Sequence, residues 1–456
     1  MSRLSLVLHT HMPYVEGFGT WPFGEEWLFE AAATVYVPLL GLLEERAPAP
    51  LTLSVTPVLA DQLLAPGVHE RLLSFLRDLR VTTHALDAAG CRAGGAPALG
   101  AEVERAGADY ARAADALERL GDGGLARGLL RHAAWTSSAT HAVLPLVATD
   151  AGVRLQLRAG IEAHRARRDG AWGGGFWLPE CAHAPWLHPL LEEAGVHATC
   201  VDLTDVLGPG AHPPLATDDG PLLAPIDREV MELVWSDGGY PAGPAYRDTH
   251  RMTVHHHHPW ANDGAVYDRD RAREQAVADA RDFLAHVARR EHLTVCALDT
   301  ELLGHHWYEG LDWLTAVLDE APGAGVELVA LDDALHDTPV IAAPAELPVT
   351  TWGTPRTLWT WDGPQVADLA FATRAAELRA VAAGGDADAR AVRELLALQS
   401  SDWAFLITRD ISGPYPRERA DGHLAALDAA LAAPGAHDPT LRSLAPFADP
   451  AMLRVP

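Results

Sequence analysis

Short apolar runs that end in polar residues recur along the chain, at Leu4–Leu8, Leu51–Val55, Gly175–Leu178, Ala198–Val201, Leu293–Leu298 and Val326–Leu331. Each is bounded by turn-forming or charged residues and reads as a buried strand. Between many of them the apolar spacing changes to a helical period, as in Trp186–Ala194 and Arg271–Arg290. Strands alternating with helices build a mostly parallel sheet, and this many units over roughly 340 residues predict a barrel. In such a barrel the chemistry sits at the carboxyl ends of the strands. His9, His11, Thr56, Glu180 and Asp299 all fall there.

The pattern changes in two places. Residues 61–130 are helical in period and rich in Ala, Arg and Glu, with breaks near Gly94 and Gly121. They predict a helical insertion packed against the barrel. A Pro/Ala-rich link, Pro339–Pro348, is followed by the Trp-rich stretch Trp352–Trp361, and from Val366 the chain is Ala/Leu-periodic. That predicts a helical C-terminal domain. The expected class is therefore α/β, with a barrel over 1–60 and 131–345, an insertion over 61–130 and a helical domain over 346–456. No internal repeat is visible.

Composition narrows the function classes. A net charge of −27 argues against nucleic acid or an anionic membrane as the main partner, whereas a neutral carbohydrate is compatible with it. All 35 basic residues other than histidine are arginine, which in an Ala- and Gly-rich chain reads as coding bias. No run of ~18 uncharged apolar residues offers itself as a membrane span. Met1–Val7 has no basic leader and reads as a first core strand rather than a signal peptide. Cys91, Cys181, Cys200 and Cys296 are scattered without a CxxC pair, as expected of reduced thiols in a cytoplasmic protein.

Two segments carry the strongest chemical signal. In Gly175-Phe-Trp-Leu-Pro-Glu180-Cys an apolar strand stops at Pro179, which cannot continue a ladder, and presents a carboxylate at its tip. In Val295-Cys-Ala-Leu-Asp299-Thr-Glu-Leu-Leu-Gly-His-His-Trp a second strand ends in a carboxylate, followed by Gly304 and a cluster of rings. A lone carboxylate is most often a cap or an ion-pair partner. Two at strand ends, flanked by Trp, Gly and His, suit a nucleophile and an acid/base acting on a sugar. The 14 tryptophans add to this, because many lie in the motif stretches: Trp21, Trp27, Trp177, Trp235, Trp260, Trp307, Trp352, Trp359, Trp361 and Trp403. Indole faces stack on sugar rings, although core packing is the commoner role of any single Trp. The run His255–His258 suggests metal at first sight. Four consecutive histidines do not present a ligand set on one face, so a polar loop is the expected reading and no metal site is assigned.

These residues resemble an ordered set of motifs. His9-Thr-His11-Met-Pro13-Tyr14, Trp27-Leu-Phe-Glu30, Ala139-Thr-His141, Phe176-Trp-Leu-Pro-Glu180-Cys and Asp299-Thr-Glu301-Leu-Leu-Gly304-His look like those of glycoside hydrolase family 57. Val234-Trp-Ser, Gly239-Tyr-Pro, Tyr246-Arg-Asp and Ser400-Ser-Asp402-Trp403 are similar to its 1,4-α-glucan branching enzyme group. The resemblance runs from about residue 4 to about residue 425 and implies an incomplete (β/α)7 barrel acting on an α-glucan by a retaining mechanism, with no cofactor. It implies Glu180 as nucleophile and Asp299 as acid/base. His9, His11 and His141 would lie at the cleaved sugar, and Trp27, Trp352, Trp361, Asp402 and Trp403 along the glucan groove.

The chain also departs from that pattern. The glycines expected after Trp352-Gly353 are replaced by Thr354-Pro-Arg356, and the segments before Trp235 and around His255–His258 are short. These changes leave room for an α-glucan hydrolase or 4-α-glucanotransferase of the same family. A metal-dependent carbohydrate deacetylase, with zinc on His9 and His11, is the reading from another class, and a catalytically inactive glucan-binding protein is a third.

Overall fold

The computed structural model describes residues 2–16, 18–20, 23–384, 388–435 and 443–454. Trp21 lies outside them. Seven strands of the described residues form the barrel: β1 (Ser2–Thr10), β2 (Thr52–Val55), β3 (Ala133–Ser137), β4 (Phe176–Trp177), β5 (Ala198–Val201), β6 (Leu222–Pro225) and β7 (Thr294–Asp299). All neighbouring pairs are parallel. β1 pairs with β2 and with β7, β2 with β3, β3 with β4, and β5 with β6. Between β4 and β5 the ladder thins to the bridge Gly175↔Ala198, and between β6 and β7 to one bond, Asp227 N–H to the Val295 carbonyl at 2.9 Å. These two thin seams make the barrel incomplete. β8 (Val326–Leu328) pairs only with the first residues of β1.

Several strands are buried along nearly their whole length, as the burial of β1 and β7 shows, and this is why they read as continuous apolar runs rather than alternating ones. Two of the seven, β3 and β6, are not among the sequence-predicted strands. β3 reads Ala-Ala-Trp-Thr-Ser directly after a helix, with Thr136 its one β-branched residue, and β6 ends in a proline, so the strand signal of each is weak. The expected strand to Leu331 is shorter, because Leu331 begins the helix Leu331–Asp337.

Across the expected insertion the chain is helical, through Pro57–Leu63, Val81–Ala93, Pro97–Leu120 and Gly124–His132. Its breaks fall at Gly94 and Gly121. The helical run Glu25–Glu45, with a mean hydropathy of 1.3, is long and apolar enough to pass as a membrane span by length and composition alone, although charged residues interrupt it. In the fold 61% of that window is buried, and Leu28, Phe29, Tyr36 and Leu39 pack in the barrel core. The C-terminal helices Ala367–Ala383, Ala389–Leu398, Ser401–Thr408 and Tyr415–Ala432 build a second core around Trp361, Leu395 and Trp403.

Candidate active site

The strand ends converge as the barrel geometry requires. The register Val295↔Ser5 through Asp299↔His9 sets β7 against β1, and His9↔Ser54 sets β1 against β2, so Asp299, His9 and Ser54 share one row. His11 lies one pleat above His9. Glu180 follows Pro179 at the end of β4, where the chain turns sharply: Glu180 has φ 62° and Cys181 φ 47°. Two successive non-glycine residues in the left-handed region cost about 1–3 kcal/mol each and mark a site where the surroundings fix the backbone. Here the fixing bonds are Cys181 N–H to the Leu178 carbonyl (2.8 Å) and Trp352 N–H to the Glu180 carbonyl (3.1 Å). His141 is left-handed as well, with φ 60°.

The Glu180 carboxylate accepts two hydrogen bonds, from the Ser401 hydroxyl on Oε1 (3.0 Å) and from the Trp352 indole on Oε2 (3.2 Å). Burial raises its pKa, and the Trp352 and Ser401 donors and the nearby His11 counter that rise, while Asp402 adds to it. Asp299 has no comparable donors among the described residues. Burial, and then the charges of Glu301, Glu180 and Asp402, hold its carboxyl well above the usual range. The two carboxyl groups thus differ in environment: one is fastened by donors, the other is left to burial and like charges.

Histidines fill the space between. His11 Nε2 pairs with Asp402 Oδ1 at 3.0 Å, its Nδ1 meets Thr56 Oγ1 at 3.2 Å, and its ring stacks on His141 at 3.9 Å. Burial works against its charged form, but Asp402, Glu301 and Glu180 outweigh it and raise its pKa. His9 and His141 are buried, with Glu180 Oε1 3.7 Å from His141 Nδ1, and desolvation lowers both pKa values well below the normal one. Beneath them Glu301 accepts from Tyr36 Oη (2.6 Å) and from His11 N–H (3.1 Å), and burial pushes its pKa up to about 7. Tyr36 reaches this point from the wide π-helical turn Ala32–Tyr36. Gly304 is needed opposite it, since a Cβ there would lie 2.3 Å from the Thr34 carbonyl oxygen.

The tryptophans divide. Trp352 stacks on Trp235 (6.0 Å, 26°) and meets Trp177 edge-on, so an indole pair leads from Glu180 out to Trp235, which is 41% exposed. Trp27 is half-buried and meets Tyr415 edge-on at 5.6 Å. Trp361 and Trp403 are 3% and 0% exposed and belong to the C-terminal core. This corrects their expected place along the groove, because neither presents a ring face to a sugar in this conformation. Asp402, by contrast, reaches His11 from the same helix. The sequence marks Thr56 only by its strand end and Ser401 only by its motif, and it gives no signal for Tyr36 or Ser54.

His11, His141 and Asp402 each place one potential ligand atom within 4.8 Å of the others. The stacked rings do not converge on a point, and both His141 nitrogens are bonded elsewhere, to His9 at 2.8 Å and Ser401 at 2.8 Å. A tetrahedral ion would need those lone pairs. The run His255–His258 does not converge either: His255 pairs with Asp87, His257 stacks on His84, and His258 faces the Arg251 carbonyl.

Residues 134–340 match the model of glycosyl hydrolase family 57, and residues 370–446 match that of the C-terminal region of 1,4-alpha-glucan branching enzymes. The chain is 33% identical to a probable 1,4-alpha-glucan branching enzyme of Mycobacterium tuberculosis, over 92% of this chain and 90% of that protein. Its fold is similar to the crystal structure of a branching enzyme of this type from Pyrococcus horikoshii, with a TM-score of 0.85 and 29% identity over 92% of this chain and 88% of the other. It is also similar to the branching enzyme of Thermococcus kodakaraensis in complex with glucose, with a TM-score of 0.87 and 27% identity over 99% and 96%.

Proposed function

Because this chain belongs to glycosyl hydrolase family 57, within its 1,4-alpha-glucan branching enzyme group, we propose that it cleaves α-1,4 links and passes the cut chain to a 6-hydroxyl by a retaining double displacement. Asp299 gives its proton to the glycosidic oxygen while Glu180 attacks the anomeric carbon, which leaves the glycosyl chain as an ester on Glu180. Asp299, now ionised, takes the proton of the incoming hydroxyl, and that oxygen displaces Glu180 with a second inversion. The observation that carries this reading is the unequal treatment of the two carboxyls. Glu180 receives two donors and sits near His11, while Asp299 receives none among the described residues, and burial and like charges push its pKa further up. Groups whose environments push their pKa values apart suit a nucleophile and a general acid.

In this reading the barrel (1–60 and 131–345) carries both carboxyls, the insertion (61–130) flanks it, and the C-terminal domain (346–456) supplies Ser401 and Asp402. His11 meets the cleaved sugar, and Trp352 with Trp235 supplies the stacking faces for the glucan. His9 and His141 lie behind His11 and act through Glu180. No metal or cofactor takes part. The deacetylase reading falls with the family membership. Four free cysteines, three of them buried, accord with a cytoplasmic site of action.

One observation favours hydrolysis as a side reaction. β6 ends at Pro225, and Asp227 already caps the helix Arg228–Trp235, so this stretch holds a helix and no lid loop over the site. Water at ~55 M competes wherever the ester is not covered. Incubation with amylose, followed by debranching and chain-length analysis beside a reducing-end assay, decides the matter. New α-1,6 links in excess of reducing ends support transfer. Reducing ends without α-1,6 links overturn it.

A further inference from the structure

Behind the nucleophile lies a row of hydrogen bonds that runs through five side chains from three parts of the chain. Ser54 Oγ meets His9 Nδ1 at 3.3 Å, His9 Nε2 meets His141 Nε2 at 2.8 Å, His141 Nδ1 meets Ser401 Oγ at 2.8 Å, and Ser401 Oγ meets Glu180 Oε1 at 3.0 Å. Ser54, His9, His141 and Ser401 are all buried, between 0% and 4% exposed, so water does not substitute for a missing partner.

With Glu180 ionised, the proton count along this row has one solution. A neutral imidazole has one N–H and one lone pair, and a hydroxyl has one proton to give. If the Glu180 carboxylate is ionised it only accepts, so Ser401 must donate to it and must itself accept from His141 Nδ1–H. His141 Nε2 is then a lone pair and accepts from His9 Nε2–H, and His9 Nδ1 accepts from the Ser54 hydroxyl. The opposite polarity needs a proton on Glu180, donated to Ser401, with both imidazoles in the other tautomer. The two rings are tied to each other, because a single reversed ring would set two N–H groups or two lone pairs against each other inside the core.

We propose that Ser54, His9, His141 and Ser401 form a polarised donor chain that delivers a hydrogen bond to Glu180 and holds it as the ionised, aligned nucleophile. These are positioning residues, since each acts on the sugar only through Glu180. His141 is placed for this by its left-handed backbone and by the Ser401 N–H bond to its carbonyl at 3.1 Å. His9 is held flat by its stack on Trp177 at 4.6 Å. Desolvation keeps both rings neutral, as the chain requires. The Trp352 indole and His11 also favour its ionisation, whereas Asp402 opposes it, and Asp299 shares its field. This inference rests on Glu180 as the nucleophile, but its direct test needs no substrate.

Neutron diffraction from deuterium-exchanged crystals of the whole chain at neutral pD locates the protons. The expected result is a deuteron on His141 Nδ1 and on His9 Nε2, none on the facing nitrogens, and the Ser401 deuteron directed at Glu180. A deuteron on His141 Nε2, or on both nitrogens of either ring, overturns the proposal. Kinetics on amylose provide the second readout. Ser401→Ala removes a hydrogen bond to a charged group, so kcat/KM falls about tenfold to hundredfold, with the acid limb of its pH profile moved to higher pH. Ser401→Thr, which keeps the hydroxyl, restores both. An unmoved acid limb in Ser401→Ala overturns the proposal, as does a Thr variant no better than Ala. If the wild type does not act on amylose at all, the functional reading fails while the diffraction result still decides this one.

Discussion

Trp352→Phe isolates one hydrogen bond at the nucleophile. The indole Nε1 donates to Glu180 Oε2 at 3.2 Å, and the same ring stacks on Trp235 and meets Trp177 edge-on. Phenylalanine keeps an aromatic face in the gap and removes the donor. A hydrogen bond to a charged group contributes about 1.5–3 kcal/mol, and the 3.2 Å length puts this one near the lower end. A loss of ~1.5 kcal/mol is about tenfold in kcat/KM. The same loss falls on the ionised form of Glu180 alone, so its proton affinity rises by about one pH unit. The acid limb of kcat/KM on amylose should therefore move up by about that much, with KM little changed because the stack persists. Trp352→Leu adds the loss of stacking, about 0.5–1.5 kcal/mol, and that part should appear in KM. If the pH profile of Trp352→Phe superimposes on that of the wild type, the indole does not tune Glu180 and the reasoning fails.

Other outcomes follow from the same geometry. Trp361→Ala should act as a core deletion, costing about 3–5 kcal/mol of stability, read from denaturant midpoints; a stable variant that has lost only transfer would restore Trp361 to the groove. Glu180→Gln should keep the fold and abolish turnover on amylose, and a variant retaining more than a few per cent of the rate contradicts the assignment. Activity should survive exhaustive treatment with EDTA, and a loss reversed by added zinc would contradict the metal-free mechanism. His164, His257 and His423 are buried, and desolvation lowers each to about 3. Between pH 6.5 and about 3 the unfolded chain binds more protons at these sites than the folded one, so stability is full above pH 6.5 and falls as the pH drops through that window. Denaturant midpoints that stay constant from pH 7 to 4.5 would refute this.

What the sequence makes legible here is set by distance along the chain. Glu180 and Asp299 are readable because each ends an apolar run, and Pro179 and Gly304 mark the turns that follow. The barrel is readable from strands such as Ser2–Thr10, whose burial on both faces leaves a continuous apolar run. Ala133–Ser137 escapes because its strand character comes from pairing with two neighbours rather than from its own residues. The chain behind Glu180 escapes for another reason, since Ser401 and Glu180 are 221 positions apart and only the fold joins them. The burial of Trp361 and Trp403 is likewise decided by helices that close over them from the C-terminal part. A tryptophan in sequence signals a large ring, and packing alone decides whether its face is offered to a ligand.

The central claim is a covalent glycosyl ester on Glu180, made with Asp299 as acid and broken with Asp299 as base. A maltosyl fluoride carries a leaving group that needs no proton, so it can load the enzyme even without Asp299. In Asp299→Asn the loading step survives while the base-assisted release is lost, and the ester should accumulate. Rapid acid quench, peptic digestion and mass spectrometry should then find one added maltosyl unit on the peptide that contains Glu180. Steady consumption of the fluoride with no adduct on Glu180, or an adduct on another carboxylate such as Glu301 or Asp402, would contradict the account.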